Sequence, residues 1–219
     1  MTTFPNSPAV LKGGLVLLDP TTAAVRGVIA LQYNPDTVTR TLQVKGAGPE
    51  GGDRSEALRL KGPPTETIKL DAEIDATDQL EFPDQNAVAT RSGVFPALSA
   101  LETIVYPTSA QLQANHELAA SGTLEILPME TALTLFVWSK SRIVPVRITD
   151  FSITEEAFDV ALNPIRARVS LGMRVLSVDD IGFSHKGGGL FMSYLQHKEQ
   201  LAAGRAGAGL RTLGLTGIG

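Results

Sequence analysis

Three groups of residues in this chain of 219 have the types and spacing that chemistry requires. The first is acidic. Asp71, Glu73 and Asp75 alternate along "TETIKLDAEID" (65–75), and Glu155, Glu156 and Asp159 cluster at a turn. Carboxylates at strand spacing can hold a cation or act as an acid–base pair. Glycosidase-type pairs, however, stand opposed across a substrate, so three like charges on one strand face read better as a solvated face or a ring interface. The second group is basic. Arg166, Arg168 and Arg174 fall with Ser170 on one side of "PIRARVSLGMRVL" (164–176), opposite Ala167, Val169, Leu171, Met173 and Val175. These arginines have three readings: solvent-facing charges that keep an edge strand from aggregating, an anion site, or partners for the carboxylates at 71–75 on a neighbouring copy. The third group is "GFSHKG" (182–187), where Ser184 adjoins His185. It lacks the second glycine and the strand–turn–helix setting of a nucleophile elbow, and reads as a polar turn before a helix.

Other chemistry is excluded more firmly. The chain has no cysteine, which removes disulfides, thiolate catalysis and cysteine-based zinc sites. His116, His185 and His197 share no metal-ligand spacing. The glycines of "GAGPEGGD" (46–53) lack the Gly-Lys-Ser/Thr ending of a phosphate loop. Neither a catalytic nor a metal nor a cofactor site is expected. A net charge of −4 argues against a nucleic-acid partner. With 43% hydrophobic and only 5% aromatic residues, the core should be aliphatic. The N-terminus lacks the pattern of a secretory signal, and no run approaches the roughly 20 apolar residues of a membrane-spanning helix.

The elements that would position these residues follow from periodicity. "GLVLLDP" (14–20) and "RGVIALQYNP" (26–35) read as a hairpin, and "TVTRTLQVKG" (37–46) as a strand carrying Val38, Leu42 and Val44 on one side. Residues 46–64, rich in Gly, Pro and charge, read as a long flexible loop. In 65–75, Ile68, Leu70, Ala72 and Ile74 share the apolar face. "VFPALSALETIVYP" (94–107) is a helix with Leu98, Leu101 and Val105 at helical spacing. A second short helix is expected around "SAQLQANHEL", then a loop. Residues 133–158 hold two strands separated by "SKS". "FDVALNPIRARVSLGMRVL" then reads as a short strand, a turn and a long strand. "GLFMSYLQHKEQLAAG" (189–204) is a terminal amphipathic helix with Leu190, Phe191, Tyr194, Leu195 and Leu201 on its stripe. The total is about eight strands, a central helix and a C-terminal helix. The fold class is mainly β within α+β: a β-barrel or sandwich with a packed helix. The divisions are an N-terminal arm (1–12), the main domain (13–180), and a C-terminal helix with a glycine-rich tail (181–219).

Two blocks carry a resemblance. "GVIALQYNPDTVTRTL" (27–42), with Tyr33, Asn34 and Pro35, is similar to the N-terminal signature of tube-type proteins of contractile injection systems. "LTLFVWSKSRIVPVRITDFSITEEAFDVALNPIRARVSLGMRVL" (133–176) resembles that family's later strands in order and spacing. It carries Phe136, Trp138, Arg147, Glu155, Glu156, Phe158, Asp159, Asn163, Pro164 and Arg166. The resemblance spans residues 13–180 and implies a phage-tail-tube-like fold. It further implies a structural, non-enzymatic role in a baseplate hub, as a tube-initiator ring of six copies between a spike protein and an inner tube protein, among other baseplate proteins. Many family members continue into a LysM module, of which this chain has no trace, so peptidoglycan binding is not carried over. The resemblance also implies assembly in a bacterial cytoplasm, within a particle that can be released, with no membrane insertion. An inner tube protein or another phage tail-tube or baseplate component is the alternative of the same class. A cell-wall or carbohydrate-binding module is the alternative of another class, disfavoured by sparse aromatics and a single Trp. On this reading the arginine face of 164–176 lines either the channel of a ring or the contact with the neighbouring copy.

Overall fold

A computed structural model describes residues 11–46, 59–122, 131–205, 207 and 209–218. Most of the expected N-terminal arm and of the 46–64 loop lies outside the described residues. Seven strands form one antiparallel sheet: β1 (Gly14–Leu18), β2 (Val25–Ala30), β3 (Val38–Gln43), β4 (Thr65–Asp75), β5 (Leu133–Ser139), β6 (Arg142–Phe158) and β7 (Pro164–Val175). Their spatial order is β2-β1-β5-β6-β7-β4-β3. The fold class is α+β, as the patterning indicates, but the sheet stays open, neither closed into a barrel nor split into a sandwich. The eighth, short strand expected at 158 is the distal end of β6, which runs for 17 residues without a break.

The helices are α1 (Thr77–Leu80), α2 (Ala87–Ser92), α3 (Phe95–Glu102), α4 (Ser109–Ala120), α5 (Val178–Ile181) and α6 (Lys186–Ala203). The central helix, α3, ends at Glu102, so Leu98 and Leu101 are buried while Val105 lies beyond it, exposed. α4 confirms the second short helix. Its start is fixed by a capping box in which the Thr108 side chain accepts from the Gln111 N–H and the Gln111 side chain accepts from the Thr108 N–H. α1 and α2 carry no long apolar period, which is why the sequence did not reveal them.

Alternation along the strands builds the core. Ile68, Leu70 and Ala72 of β4, Val144 and Val146 of β6, and Ala167, Val169, Leu171 and Met173 of β7 are buried on one face. Phe136, Leu15, Leu98, Leu101, Phe191 and Tyr194 join the same cluster. Ladder irregularities interrupt β1 at Leu17/Leu18, β5 at Val137/Ser139 and β6 at Ile148/Asp150. Bulges of this kind raise local twist and curl a sheet. The curl brings the end of β2, on one edge, to the end of β4, one strand in from the other edge. There the Gln32 side chain stands in for a ladder rung: its amide nitrogen donates to the Asp75 carbonyl (2.6 Å) and its oxygen accepts from the Asp75 N–H (2.9 Å).

One polar cluster sits on the core face. Glu66 shares the inward parity of Ile68 and Leu70 and is 4% exposed. It accepts from Arg40 Nε of β3 (2.7 Å), from the Tyr194 hydroxyl (3.0 Å) and from Lys198 Nζ of α6 (3.1 Å). Lys198 also lies 3.9 Å from the centroid of the Tyr194 ring. This carboxylate joins the edge strand β3 and the helix α6 to the sheet. Burial pushes its pKa up, but the hydrogen bonds and charges of Arg40 and Lys198 outweigh burial and hold it below the usual glutamate value.

A depressed folded-state pKa stabilises the fold above the unfolded pKa, near 4.3, and that contribution is lost as pH falls through the folded value. Glu66→Gln should therefore cost roughly 1–3 kcal/mol in urea denaturation at pH 7, since Arg40 and Lys198 still reach water. The difference from wild type should shrink as pH falls below about 4. A constant difference across that range would show that Glu66 contributes packing alone.

Candidate assembly surfaces

The outward face of the sheet brings the acidic and basic groups of the sequence together within one chain. In the β4–β7 register Asp75 stands opposite Arg166, Glu73 opposite Arg168, and Asp71 opposite Ser170. Parity fixes this: each residue alternates with a buried aliphatic, so all six must point away from the core. Arg166 Nε lies 2.9 Å from Asp75 and 3.9 Å from Glu73, and the Ser170 hydroxyl donates to Asp71 at 2.5 Å. Burial raises the pKa of Asp75, but hydrogen bonds from Thr77 and Arg166 more than offset it and the net direction is down. Glu156 of β6 flanks Arg166 on the other side. The carboxylates at 71–75 thus find their complement on the adjoining strand, with no second copy required.

The three arginines do not act as a set. Arg168 makes no ion pair with the described residues and stands opposite Thr154 on β6. Arg174 lies toward the far end of β7, opposite Arg147. Its Nη2 donates to Asp180 at 2.5 Å, and its Nε is buried without a partner. The Asp180 carboxyl also accepts from the Ser177 N–H (2.9 Å) and hydroxyl (3.1 Å). Burial raises its pKa, and Ser177 with Arg174 bring it down on balance. Arg174 therefore anchors the short helix α5 rather than extending the β4–β7 charge ladder.

The remaining residues of the two sequence blocks organise the ends of the sheet. Asn34 Oδ1 accepts from the Gly13 N–H (2.9 Å) and its amide donates to the Leu11 carbonyl (2.8 Å), which sets the chain entering β1. Tyr33 and Pro35 line the groove beside Asp71, Glu73 and Arg168. Phe136 stacks on Trp138 with centroids 5.9 Å apart. Phe158, Asp159, Asn163 and Pro164 form the end of the β6–β7 hairpin. Asp159 Oδ1 accepts from the Ala161 and Asn163 N–H groups (2.8 Å each), and Oδ2 accepts from the Asn163 amide (2.8 Å). These bonds, those from Asn163 first, hold the Asp159 carboxyl well below its ordinary range. Asn163 also donates to the Arg91 carbonyl (3.1 Å), and Gly93 sits against Pro164 at φ 55°, where a Cβ would lie 2.1 Å from the Pro164 oxygen. The hairpin root is thereby fixed to α2, while Glu155 and Glu156 precede the turn, Glu155 exposed and Glu156 half-buried.

Among the described residues both outer strands leave an edge unpaired. β2 pairs only with β1, and β3 only with β4. β2 also exposes Val25 and Val28, the latter 66% accessible. Unpaired edges with apolar side chains are templates for pairing with another chain.

His185 caps α6, its Nδ1 accepting from the Gly187 N–H at 3.0 Å. His116 lies on exposed α4 and His197 on α6. Among the described residues no cluster of three or more His, Cys, Asp or Glu could hold a metal ion, and no helix is long and apolar enough to cross a membrane. Sequence reading missed the Glu66 cluster and the Gln32 clasp. The first had a legible signal, a charged residue at the inward parity of a strand; the second had none, because it depends on curl. No family model matches the chain, and no curated protein matches it.

In the Arg166–Asp75 pair the arginine is 44% exposed and the aspartate 16%, so water and salt reach the pair through Arg166 and leave it a small share of stability. Arg166→Ala should keep the urea midpoint close to wild type, and added salt should erase what difference remains. A large, salt-insensitive loss would mean that the pair holds the β4–β7 register.

Proposed function

We propose that this chain is a structural subunit of a ring in a contractile injection particle: a baseplate hub or tube initiator joining the spike to the inner tube. The single observation that carries this reading is the pair of free edges on a curled sheet. A subunit of this shape gains most by pairing the edge of one copy with the edge of the next, since closing the ring leaves no edge exposed. The two sequence blocks that resemble tube-type proteins support it independently. They supply the β1–β2 entry, the Phe136–Trp138 stack and the β6–β7 hairpin, which are the parts that shape the subunit. The role is mechanical, with the ring matching the spike to the tube and templating tube growth around a channel.

On this reading the outward β4–β7–β6 face, with Arg168 unpaired, is the wall of the channel or a contact between copies. A stable contact between neighbours should bury on the order of 1,600 Å².

Electron microscopy of the assembled particle, with the subunit located by an epitope tag, tests the proposal. The expected result is one tagged sixfold ring between spike and tube. Replacing Val25 and Val28 by lysine should abolish rings while the monomer keeps its circular dichroism spectrum. A tagged chain absent from the particle, or rings unaffected by the edge charges, would overturn the reading.

A further inference from the structure

The β6–β7 hairpin ends in an apolar knob. Val160 is fully exposed, and Leu162 and Phe158 are mostly so. The knob is not a loose loop. Asp159 takes three hydrogen bonds across the turn, the Asp159 N–H donates to the Asn163 carbonyl (2.9 Å), and Leu162 is held at φ 64°. Apolar side chains fixed outward on a rigid turn are pre-organised for a partner, because little conformational entropy is lost on docking. The tip is net acidic: residues 155–165 hold Glu155, Glu156 and Asp159 and no cation, and while Glu156 stands opposite Arg166, Glu155 makes no ion pair with the described residues.

The opposite ends of the same two strands form a cleft of about 490 Å³. Ile104, Val105, Ile148 and Leu176 give it an apolar floor, and Arg147 gives it a cationic rim beside His185, whose Nδ1 accepts from the Gly187 N–H. Among the described residues no carboxylate lines it. Arg147 makes no ion pair with the described residues, and it stands beside Arg174, whose own charge is met by Asp180. Knob and cleft are therefore complementary in polarity and in charge, and lie roughly 30 Å apart along β6, from Ile148 to Phe158. They cannot meet within one molecule.

We infer that the cleft receives the hairpin tip of a second copy of this chain, with Val160 and Leu162 on the apolar floor and Glu155 facing Arg147. The contact is heterologous, joining two different surfaces, so it propagates head to tail and closes a ring or continues as a stack according to the rotation between copies. A tip in a cleft buries less than a stable interface needs, so it adds to edge pairing and fixes which neighbour is accepted and in which orientation. The inference rests on self-complementarity and not on the family reading.

The absence of native cysteine makes the test direct. Val160→Cys is combined with Val105→Cys, and separately with Thr131→Cys on the cleft margin, and each double variant is oxidised or treated with a short bismaleimide. At least one double variant should give a ladder of dimers, trimers and larger species. The matching single variants, mixed with one of them tagged, should stop at a one-to-one heterodimer. Adding Leu162→Asp or Arg147→Glu should cut the yield at least fivefold, and Glu155→Lys should restore it in the Arg147→Glu background. Dimers through Val160 alone, or cross-linking no greater than with either single variant, would overturn the inference. The outcomes separate from the ring test: sixfold rings without the cross-link remove this contact and leave the ring, while a ladder without rings does the reverse.

Discussion

The register between β4 and β7 is the constraint on which the rest of this structure depends. Nine consecutive pairs run from Thr67↔Arg174 to Asp75↔Arg166. Because side chains alternate, a slip of one residue would turn Ala167, Val169, Leu171 and Met173 out to water and drive Arg166, Arg168 and Arg174 into the core. Burying an unpaired guanidinium costs several kcal/mol, so slipped pairings are strongly excluded. β7 is also paired along its other side with β6. It is thus the central rung from which both the aliphatic core and the outward charge ladder are set.

The two faces use this register differently. Inside, the buried carboxylate of Glu66 is tolerated because three donors reach it from β3 and α6. It fixes where the last long helix lies. Outside, carboxylates and arginines neutralise one another across strands at little net gain in stability. On this face Arg168, Arg147 and Lys69 make no ion pair with the described residues.

The curl of the sheet is the second organising fact. Interruptions in three ladders and the length of β6 bend the sheet until β2 approaches β4, yet they leave the gap bridged by a single side chain, Gln32. The result, among the described residues, is a molecule with two open edges, a rigid apolar tip at one end and an apolar cleft rimmed by Arg147 at the other. Each of these is costly in an isolated molecule and useful in an assembly.

Much of this was legible in the sequence. Alternation determined β4 and β7 and their inward residues, since a period of two admits only one assignment of faces. Apolar spacing and the Pro at the first turn marked α3 through local chemistry, whereas the capping box that starts α4 emerged only in the structure. Apolar spacing found α6, although Leu201 on its expected stripe is exposed beyond the sheet. Tertiary structure alone decided the rest. That Asp71, Glu73 and Asp75 meet β7 of the same chain is a matter of which strands are neighbours, and strand order involves contacts about 90 residues apart. Whether the sheet closes is set by the sum of small twists over seven strands, which no local pattern encodes. The knob and the cleft lie at opposite ends of the long β6–β7 ladder, a placement that only the pairing of those strands decides.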